Sequence, residues 1–323
     1  MNSFKIGVLG AGAWGTALAV LAARKGAPVA LWARDASRAT MIETARENPR
    51  LPGIMLPTSL RVSSEYPKVD ILLLCVPMQN LRETLVSLPP QRGALVLCCK
   101  GLELGTGLLP PEVLDSVLPG QKMAVLTGPN FAHEIAAGLP AASVLASADT
   151  TLRAALINAL RSDSLRLYGS ADVMGAALGG AAKNVIAIAS GVVMGAGFGE
   201  NARAALITRG IAEIARLAVA LGGKAETISG LSGLGDLLLT CTGMSSRNYS
   251  LGLALGKGDT LAAVLQSRTS VTEGVATAPA LLARAQQADV EMPITAAVTA
   301  LLAGESDVRE TMRTLMGRAL KDE

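Results

Sequence analysis

Aromatic side chains are scarce in this chain, at 2% of 323 residues, although half of the residues are hydrophobic. Alanine, leucine, valine and glycine must therefore fill most of the interior. This composition favours closely packed helices and parallel strands over an aromatic-rich β-sandwich. The length exceeds what one small core needs and suits two domains.

Clusters of basic residues and of metal-binding residues are also lacking. The formal net charge is only +3, and the lysines and arginines are scattered, so we expect no nucleic-acid partner. The four cysteines have neither metal-ligand spacing nor an obvious disulfide pairing: Cys75, Cys98, Cys99 and Cys241. We predict buried free thiols, a reducing cytoplasmic location and no metal site.

No apolar run is long enough to predict a membrane span, although the mean hydropathy is +0.42. The longest uncharged apolar stretch, Val185–Gly199, has 15 residues, whereas a spanning helix needs about 20. The apolar N-terminus superficially resembles a signal peptide, but its glycines fall where a strand-turn-helix needs them. We therefore expect neither export nor membrane insertion.

The first half of the chain alternates apolar strands with helices. Its strands are continuously apolar, which is typical of a parallel sheet covered by helices on both faces. The predicted strands lie in Phe4–Leu9, Pro28–Ala33, Asp70–Val76, Ala94–Cys99 and Lys122–Thr127, and two more, Ala141–Ser147 and Leu165–Tyr168, extend the sheet. This pattern predicts a doubly wound α/β domain over residues 1–178.

The second half has helical periodicity and no convincing strand. Ala204–Leu221, for example, places Ile207, Ile214 and Leu217 on one stripe and stops at a Gly-Gly pair that suits a helix C-terminus. We predict an all-helical domain over residues 179–323, joined to the first at Gly179.

A dinucleotide-binding turn follows the first predicted strand. Gly10, Gly12 and Gly15 match G-x-G-x-x-G, in which the glycines permit a tight turn, approach of a diphosphate and close helix–strand packing. Arg34 and Asp35 stand directly after the second predicted strand. An acidic residue there would hold the ribose hydroxyls of NAD, whereas an arginine would attract the 2′-phosphate of NADP. We favour NADP(H), with NAD(H) as the other possibility.

Several later segments, in order and at matching spacing, resemble the bacterial NAD(P)-dependent glycerol-3-phosphate dehydrogenase family. They include NPRLPGIMLP at 48–57, KGLE at 100–103, GPNFA at 128–132, GGAAKN at 179–184, GLGDLLLTC at 233–241, SRN at 246–248 and VTEG at 271–274. The resemblance implies a Rossmann domain followed by a helical domain. It also implies hydride transfer between NAD(P)H and dihydroxyacetone phosphate, giving sn-glycerol 3-phosphate for glycerophospholipid synthesis.

The resemblance also implies roles for individual positions. It places the cofactor against Ala13, Trp14, Arg34, Lys100, Ala132, Arg247, Val271 and Glu273, and the substrate against Lys100, Gly128, Asn130, Asp236, Ser246, Arg247 and Asn248. Lys183 matches the proton acceptor of the family. Two positions depart from the common pattern: Ala13 stands where relatives often carry a hydroxyl, and Ala182 replaces a larger apolar residue. Neither change removes a reacting group.

Oxidation of a secondary alcohol requires a base, and the chain offers two kinds of candidate. The only histidine, His133, follows GPNFA, and we expect it to be structural or solvated. Lys183 lies in the apolar segment AAKNVIAIA, where an unpaired ammonium would be costly unless it reaches solvent at a helix end. Our hypothesis is that Lys183 is the general acid/base and that Asn184 helps place the substrate.

The remaining candidates have alternative explanations. Lys100 could polarise the substrate carbonyl or hold the substrate, or it could be a surface lysine at a strand end. Asp236 could orient Lys183 or a substrate hydroxyl, with Thr240 one helical turn later, or simply cap a helix. Ser246, Arg247 and Asn248 suit a phosphate dianion, but such a triplet is also a common polar loop.

Two rival functions stay open from the sequence. One is a related two-domain dehydrogenase of the β-hydroxyacid or 6-phosphogluconate type, which shares a catalytic lysine followed by asparagine. The other is a non-catalytic NAD(P)-binding sensor. Pairing of the helical domains would suit a homodimer, which the residues themselves do not establish.

Overall fold

The computed structural model describes residues 4–26, 28–268 and 271–311. The chain forms two compact units. The first comprises residues 1–100 and 110–177, and the second comprises residues 101–109 and 178–323. The short segment 101–109 therefore belongs with the helical part, although it lies within the expected first domain. The expected boundary after residue 178 stays a prediction.

The first unit contains ten strands and six helices in its described residues, and their order is the α/β alternation predicted from the sequence. The elements are β1 Ile6–Leu9, α1 Ala13–Ala23, β2 Val29–Trp32, α2 Ala36–Ala45, β3 Glu47–Asn48, β4 Leu51–Met55, β5 Leu60–Ser63, β6 Ile71–Leu74, α3 Leu81–Ser87, β7 Ala94–Leu97, α4 Pro110–Val117, β8 Met123–Thr127, α5 Ala132–Ala137, β9 Ala141–Ala146, α6 Thr150–Leu160 and β10 Leu165–Ser170.

Eight of these strands form one sheet in the order β10-β9-β8-β7-β6-β1-β2-β5. Six neighbouring strands, β8-β7-β6-β1-β2-β5, are parallel to one another. Strand β9 runs antiparallel to β8 and parallel to β10. The chain proceeds from β1 towards β2 and β5, then returns to β6 on the other side of β1. The end of β1 is thus the topological switch point, where doubly wound sheets bind ligands.

The predicted strands are confirmed, but two features differ from expectation. The sheet is not parallel throughout, because β9 reverses direction against β8. The sequence pattern also missed β5 and the antiparallel pair β3–β4, whose strands are only two to five residues long. Strand β4 contains Pro52 and Gly53 and is mostly exposed, and β5 alternates buried and exposed residues over only four positions. These strands therefore lack the continuous apolar run by which the buried strands were recognised.

The second unit contains helices and no strand in its described residues, and α7 leads into it. Its helices are α7 Val173–Gly195, α8 Gly199–Ala220, α9 Ala225–Ile228, α10 Asp236–Thr242, α11 Arg247–Gly256, α12 Leu261–Gln266, α13 Glu273–Gln287 and α14 Pro293–Ala303. Helix α8 ends as predicted, because Gly222 adopts a φ of +82° just beyond it.

One described helix, α7, is long and apolar enough to cross a membrane, with 23 residues. Its most apolar 18-residue segment is 94% buried inside the protein, and the core helix of a globular protein can be equally long and apolar. Residues 185–195 of the predicted apolar stretch 185–199 lie in this helix. The helix begins earlier, at Val173, and therefore also includes Lys183.

Candidate active-site residues

The glycine turn at the end of β1 fits a dinucleotide diphosphate. Gly10 has a φ of +110°, and a Cβ there would lie 2.6 Å from the carbonyl oxygen of Cys75 after the neighbouring strand β6. A Cβ on Gly15 would collide with the Gly10 carbonyl. Gly12 has no neighbour within 4 Å of its Cβ position, so the space above the second glycine is open. Each glycine thus meets the steric demand that the motif predicted for it.

Helix α1 begins at this turn without a protein cap. Its N-cap residue is Gly12, which offers no side chain, and its first turn has no acidic residue. The N–H groups at a helix start need acceptors, and their dipole favours negative charge. The turn therefore offers a phosphate a set of backbone donors. The indole nitrogen of Trp14 is buried, and no described residue accepts its hydrogen bond.

At the end of β2, Arg34 is exposed and Asp35 caps helix α2. One carboxylate oxygen, Oδ1, accepts from the Ser37 hydroxyl at 2.6 Å and from the Arg38 backbone N–H at 2.8 Å. These hydrogen bonds, with that of Ser37 the largest cause, lower the pKa of Asp35. The acidic residue is thus engaged in the protein through Oδ1, while Arg34 is exposed directly before it.

Lys100, Gly128 and Asn130 lie at the ends of adjacent strands in the first unit. Lys100 Nζ donates to the Gly128 carbonyl at 3.3 Å, and Asn130 Nδ2 donates to Ser143 Oγ at 2.7 Å. The Asn130 Oδ1 atom is buried, and no described residue donates to it. An acceptor buried without a partner is costly, so a ligand hydroxyl is a suitable donor for it. Ala132 begins α5 directly after this segment.

His133, next to Ala132, has a largely exposed side chain, 60% accessible. Its ring stacks on Phe131 with 5.7 Å between the centroids, and Nε2 lies 3.8 Å from Glu134. The His133 side chain is therefore largely solvated and stacked on a neighbour, as expected from the sequence.

In the second unit, Lys183 is buried in the middle of α7, with 8% of its surface exposed. Its ammonium lies 2.5 Å from Asp236 Oδ1 and 2.7 Å from Thr240 Oγ1. Asp236 is itself 1% exposed, and the Thr240 hydroxyl also contacts the Asp236 carbonyl oxygen at 2.6 Å. Lys183 therefore does not reach solvent at a helix end, and Asp236, the first residue of α10, is more than a helix cap.

Local packing brings Asp236 to Lys183. Asp236 follows a π-helical turn, Leu231–Gly235, that lies against Gly179 one helical turn before Lys183. A Cβ on Gly179 would be 2.6 Å from the Ser232 carbonyl, so only glycine permits this approach. Thr240 lies one turn after Asp236 and therefore on the same face of α10.

Asn184, the neighbour of Lys183, leads to a second polar bridge. Its Oδ1 accepts from Asn248 Nδ2 at 2.9 Å, and Asn248 Oδ1 accepts from the Gly274 backbone N–H at 3.0 Å. These two hydrogen bonds connect α7, α11 and the start of α13. Glu273 is the first residue of α13, and Val271, just before the helix, is exposed.

The start of α11 carries the polar triplet. Ser246 is the N-cap and accepts from the Tyr249 N–H at 3.2 Å, and the first turn has no acidic residue. Arg268 donates to the Arg247 carbonyl at 2.6 Å and to Ser250 Oγ at 3.1 Å. Burial, followed by the charge of Arg247, lowers the pKa of Arg268. Two guanidinium groups and a helix N-terminus thus make this corner suitable for a dianion. The sequence did not single out Arg268, since only the fold brings it to α11.

The cysteines are free thiols, with Cys98, Cys99 and Cys241 buried and Cys75 partly buried. Burial raises the pKa of Cys241 to about 12, which makes it an unreactive packing residue next to the lysine cluster. Within the described residues no group of three or more histidines, cysteines and carboxylates could hold a metal ion.

Comparison with known proteins assigns the chain to a family. Models of the N-terminal and C-terminal parts of NAD-dependent glycerol-3-phosphate dehydrogenase match residues 5–153 and 172–313. A glycerol-3-phosphate dehydrogenase [NAD(P)+] of Acidiphilium cryptum is 60% identical over 319 residues, covering 98% of this chain and 97% of the relative. The chain belongs to the NAD-dependent glycerol-3-phosphate dehydrogenase family.

Two further comparisons agree. The corresponding enzyme of Gluconobacter oxydans is 51% identical over 317 residues, covering 97% of each chain. The crystal structure of glycerol-3-phosphate dehydrogenase from Coxiella burnetii matches with a TM-score of 0.93 and 38% identity, covering 98% of this chain and 99% of that one. The family resemblance and the α/β-then-helical fold inferred from the sequence are confirmed.

Proposed function

We propose that this protein reduces dihydroxyacetone phosphate to sn-glycerol 3-phosphate, with NADPH preferred and NADH also accepted, and so supplies glycerophospholipid synthesis. The observation that carries the proposal is the buried cluster of Lys183, Asp236 and Thr240 in a chain of this family. A lysine in an apolar helix is costly unless it is paired, and this one is held by a carboxylate and a hydroxyl. When bound, the nicotinamide cofactor supplies the hydride to the carbonyl carbon.

Lys183 exchanges the proton in this mechanism. Its ammonium donates a proton to the substrate oxygen as the carbonyl becomes an alcohol, and in the oxidative direction its neutral amine takes that proton back. Asp236 Oδ1 and Thr240 Oγ1 hold Nζ in place and stabilise its charged form. Asn184, held by Asn248, places the substrate beside this group.

The phosphate of the substrate is assigned to the start of α11. Arg247 supplies a forked donor, Ser246 and Asn248 add neutral polar groups, and Arg268 adds a second positive charge. The family resemblance assigns Lys100, Gly128 and Asn130 of the first unit to substrate contact, and Lys100 to the cofactor as well. It assigns cofactor contact to the glycine turn, Ala13, Trp14, Arg34 and Ala132 of the first unit and to Arg247, Val271 and Glu273 of the second.

The preference for NADPH rests on Arg34 and on the engagement of Asp35 in capping α2. An arginine at this strand end suits a 2′-phosphate, whereas a carboxylate would repel it.

A substrate panel tests this function. Purified protein is mixed with NADPH or NADH and with dihydroxyacetone phosphate, a 3-oxoacid or buffer alone, and the nicotinamide absorbance is followed; oxidation of 6-phosphogluconate is tested with NADP+. We expect brisk turnover only with dihydroxyacetone phosphate, faster with NADPH. Turnover of the oxoacid or of 6-phosphogluconate instead would favour the related dehydrogenases. Nucleotide binding without turnover of any substrate would favour a sensor.

A homodimer and a cytoplasmic location are further parts of the proposal. Light scattering on the purified protein would give twice the chain mass of 33.0 kDa for a dimer. A mass equal to one chain would contradict it.

A further inference from the structure

The carbonyl oxygen of Ala11, between the first two glycines of the turn, accepts two side-chain hydrogen bonds. Arg38 Nη2 donates at 2.5 Å and Asn48 Nδ2 at 3.0 Å. Arg38 lies in α2 and Asn48 in β3, so both donors come from the segment that follows β2. No expected cofactor or substrate contact includes either residue.

Asn48 is completely buried and fully engaged. Its Nδ2 also donates to Thr16 Oγ1 at 2.7 Å, and its Oδ1 accepts from the Arg50 N–H at 3.1 Å and from Arg38 Nη2 at 3.5 Å. One side chain thus connects the glycine turn, the first helical turn of α1 and the short strand β3. We call Arg38 and Asn48 the carbonyl clamp.

The clamp has a direct consequence for the donors of the turn. In a planar trans peptide, the carbonyl oxygen and the following N–H point in opposite directions. Fixing the Ala11 oxygen towards α2 and β3 therefore fixes the Gly12 N–H on the other side. Gly12 is the uncapped start of α1, with open space at its Cβ position. Because these N–H groups are already oriented, less conformational entropy is lost when a ligand accepts hydrogen bonds from them.

Burial, and then the charge of Arg50, lowers the pKa of Arg38, so this guanidinium is partly withdrawn from water. Its charge strengthens the hydrogen bond to Ala11, since charge-assisted bonds are stronger than neutral ones. An aliphatic residue at this position would remove the charged donor to the Ala11 carbonyl.

We propose that Arg38 and Asn48 are positioning residues for the dinucleotide diphosphate, acting through the Ala11–Gly12 peptide rather than by touching the cofactor. The inference rests on the proposed use of NAD(P)H. It predicts that the clamp matters for ligands that carry a diphosphate and not for the adenosine 2′-phosphate end alone.

Calorimetric binding to the full chain tests the clamp without any catalytic step. NADPH and adenosine 2′-monophosphate, which has no diphosphate, are titrated into the native protein and into Asn48→Leu and Arg38→Met. Leucine nearly preserves the volume of asparagine, and methionine keeps an aliphatic stem. The control is Thr16→Val, which removes the other acceptor of Asn48 and leaves the Ala11 carbonyl clamped.

We expect the Kd of NADPH to rise about tenfold in both clamp variants, the effect of losing one useful hydrogen bond. The Kd of adenosine 2′-monophosphate should change less than about threefold, and Thr16→Val should leave both ligands near native affinity. At saturating NADPH, kcat should stay within about threefold of the native value while KM for NADPH rises, because the reacting groups are untouched.

Several outcomes overturn the inference. If the Kd values of NADPH and adenosine 2′-monophosphate rise equally, Arg38 contacts the 2′-phosphate instead. If Thr16→Val raises the Kd of NADPH as much as Asn48→Leu does, Asn48 acts by stabilising the fold. If Asn48→Leu does not fold, Arg38→Met at its half-buried position decides alone. Native protein that binds no dinucleotide would refute the cofactor and the clamp together. Unchanged NADPH affinity in both variants of a working enzyme would refute the clamp alone.

Discussion

Asp35 and Arg34 are neighbours in sequence, but the fold gives them different surroundings. Asp35 uses Oδ1 to cap helix α2, while Arg34 is exposed at the end of β2. Sequence could identify both as candidates for cofactor choice, because they follow the second strand of a dinucleotide-binding pattern. It could not show that the carboxylate is engaged, since capping depends on the local backbone of residues 35–38.

Substitution of Arg34 should change cofactor preference. We predict that Arg34→Ser lowers the ratio of kcat/KM for NADPH to that for NADH by about 10- to 100-fold, through loss of a charge-assisted contact to the 2′-phosphate. Asp35→Asn keeps the helix cap but removes the carboxylate charge that would repel a 2′-phosphate, so it should not lower this ratio. Steady-state kinetics with both cofactors measures the ratio. An unchanged ratio in Arg34→Ser would assign the preference to another residue.

The candidate site was predictable at residues with a strong local signal. Lys183 stood out as a charge in an apolar helix, and Asp236 and Thr240 as a pair one helical turn apart. Asn48, Arg38 and Arg268 gave no such signal, because each is a polar residue in a polar segment and the partners that matter, Ala11, Thr16, Arg247 and Ser250, lie 18 to 37 residues away. Asn48 lies within a family segment, which was the only available hint of its importance.

At the scale of elements, close packing of α7 and α11 brings Asn248 to Asn184. A Cβ on Gly252 would collide with the Ile188 carbonyl and would lie 3.0 Å from the Val192 nitrogen. These helices approach this closely because Gly252 faces the backbone of α7, and Gly191 and Gly195 of α7 and Gly256 of α11 lie in the same contact. The sequence shows the glycine in a helical segment but not the helix that it faces.

Gly252→Ala should force α7 and α11 apart. We expect a loss of about 1–3 kcal/mol in the free energy of unfolding, the usual cost of overpacking, and a lower kcat because Asn248 no longer holds Asn184. Gly258→Ala, at a position with a φ of +103° but open space around it, is a control for backbone strain without helix separation. Urea unfolding and kinetics measure the two effects. Native stability and kcat in Gly252→Ala would contradict this account of the packing.

Helices α8 and α14 are joined by a buried carboxylate, Glu213. It is 2% exposed and accepts from the Ile294 N–H at 2.7 Å and the Thr295 N–H at 3.4 Å at the start of α14. Burial raises the pKa of Glu213 to about 7 and outweighs these two hydrogen bonds and the Arg216 charge, which lower it. The folded state thus binds this proton more tightly than the unfolded state.

The raised pKa of Glu213 predicts a stability that falls as pH rises. The folded protein holds more protons than the unfolded chain between the ordinary carboxyl pKa of 4.5 and about 7, so the free energy of unfolding decreases through that window. The loss is complete above pH 7 and amounts to about 3 kcal/mol. The free energy of unfolding of Glu213→Gln should not show this decrease with pH. Urea unfolding at pH 5 and pH 8 gives the difference between the two proteins, and a pH-independent difference would contradict the prediction.

For the whole molecule, the division into an α/β part and a helical part could be predicted because strands and helices have different hydrophobic periods. The direction of β9 could not, since a buried strand has the same composition whether it runs parallel or antiparallel to its neighbour. The assignment of residues 101–109 to the helical unit depends on tertiary contacts, which hydrophobic periodicity does not contain.

The central claim is that Lys183 exchanges the proton of the reaction, and one comparison tests it most directly. Native protein and Lys183→Met are assayed for oxidation of NADPH by dihydroxyacetone phosphate, with calorimetric NADPH binding and the unfolding midpoint measured on the same samples. We predict a kcat at least about 100-fold lower in the variant, the usual contribution of a general acid, with the NADPH Kd near its native value. A folded Lys183→Met protein that binds NADPH and turns over at the native rate would contradict the account.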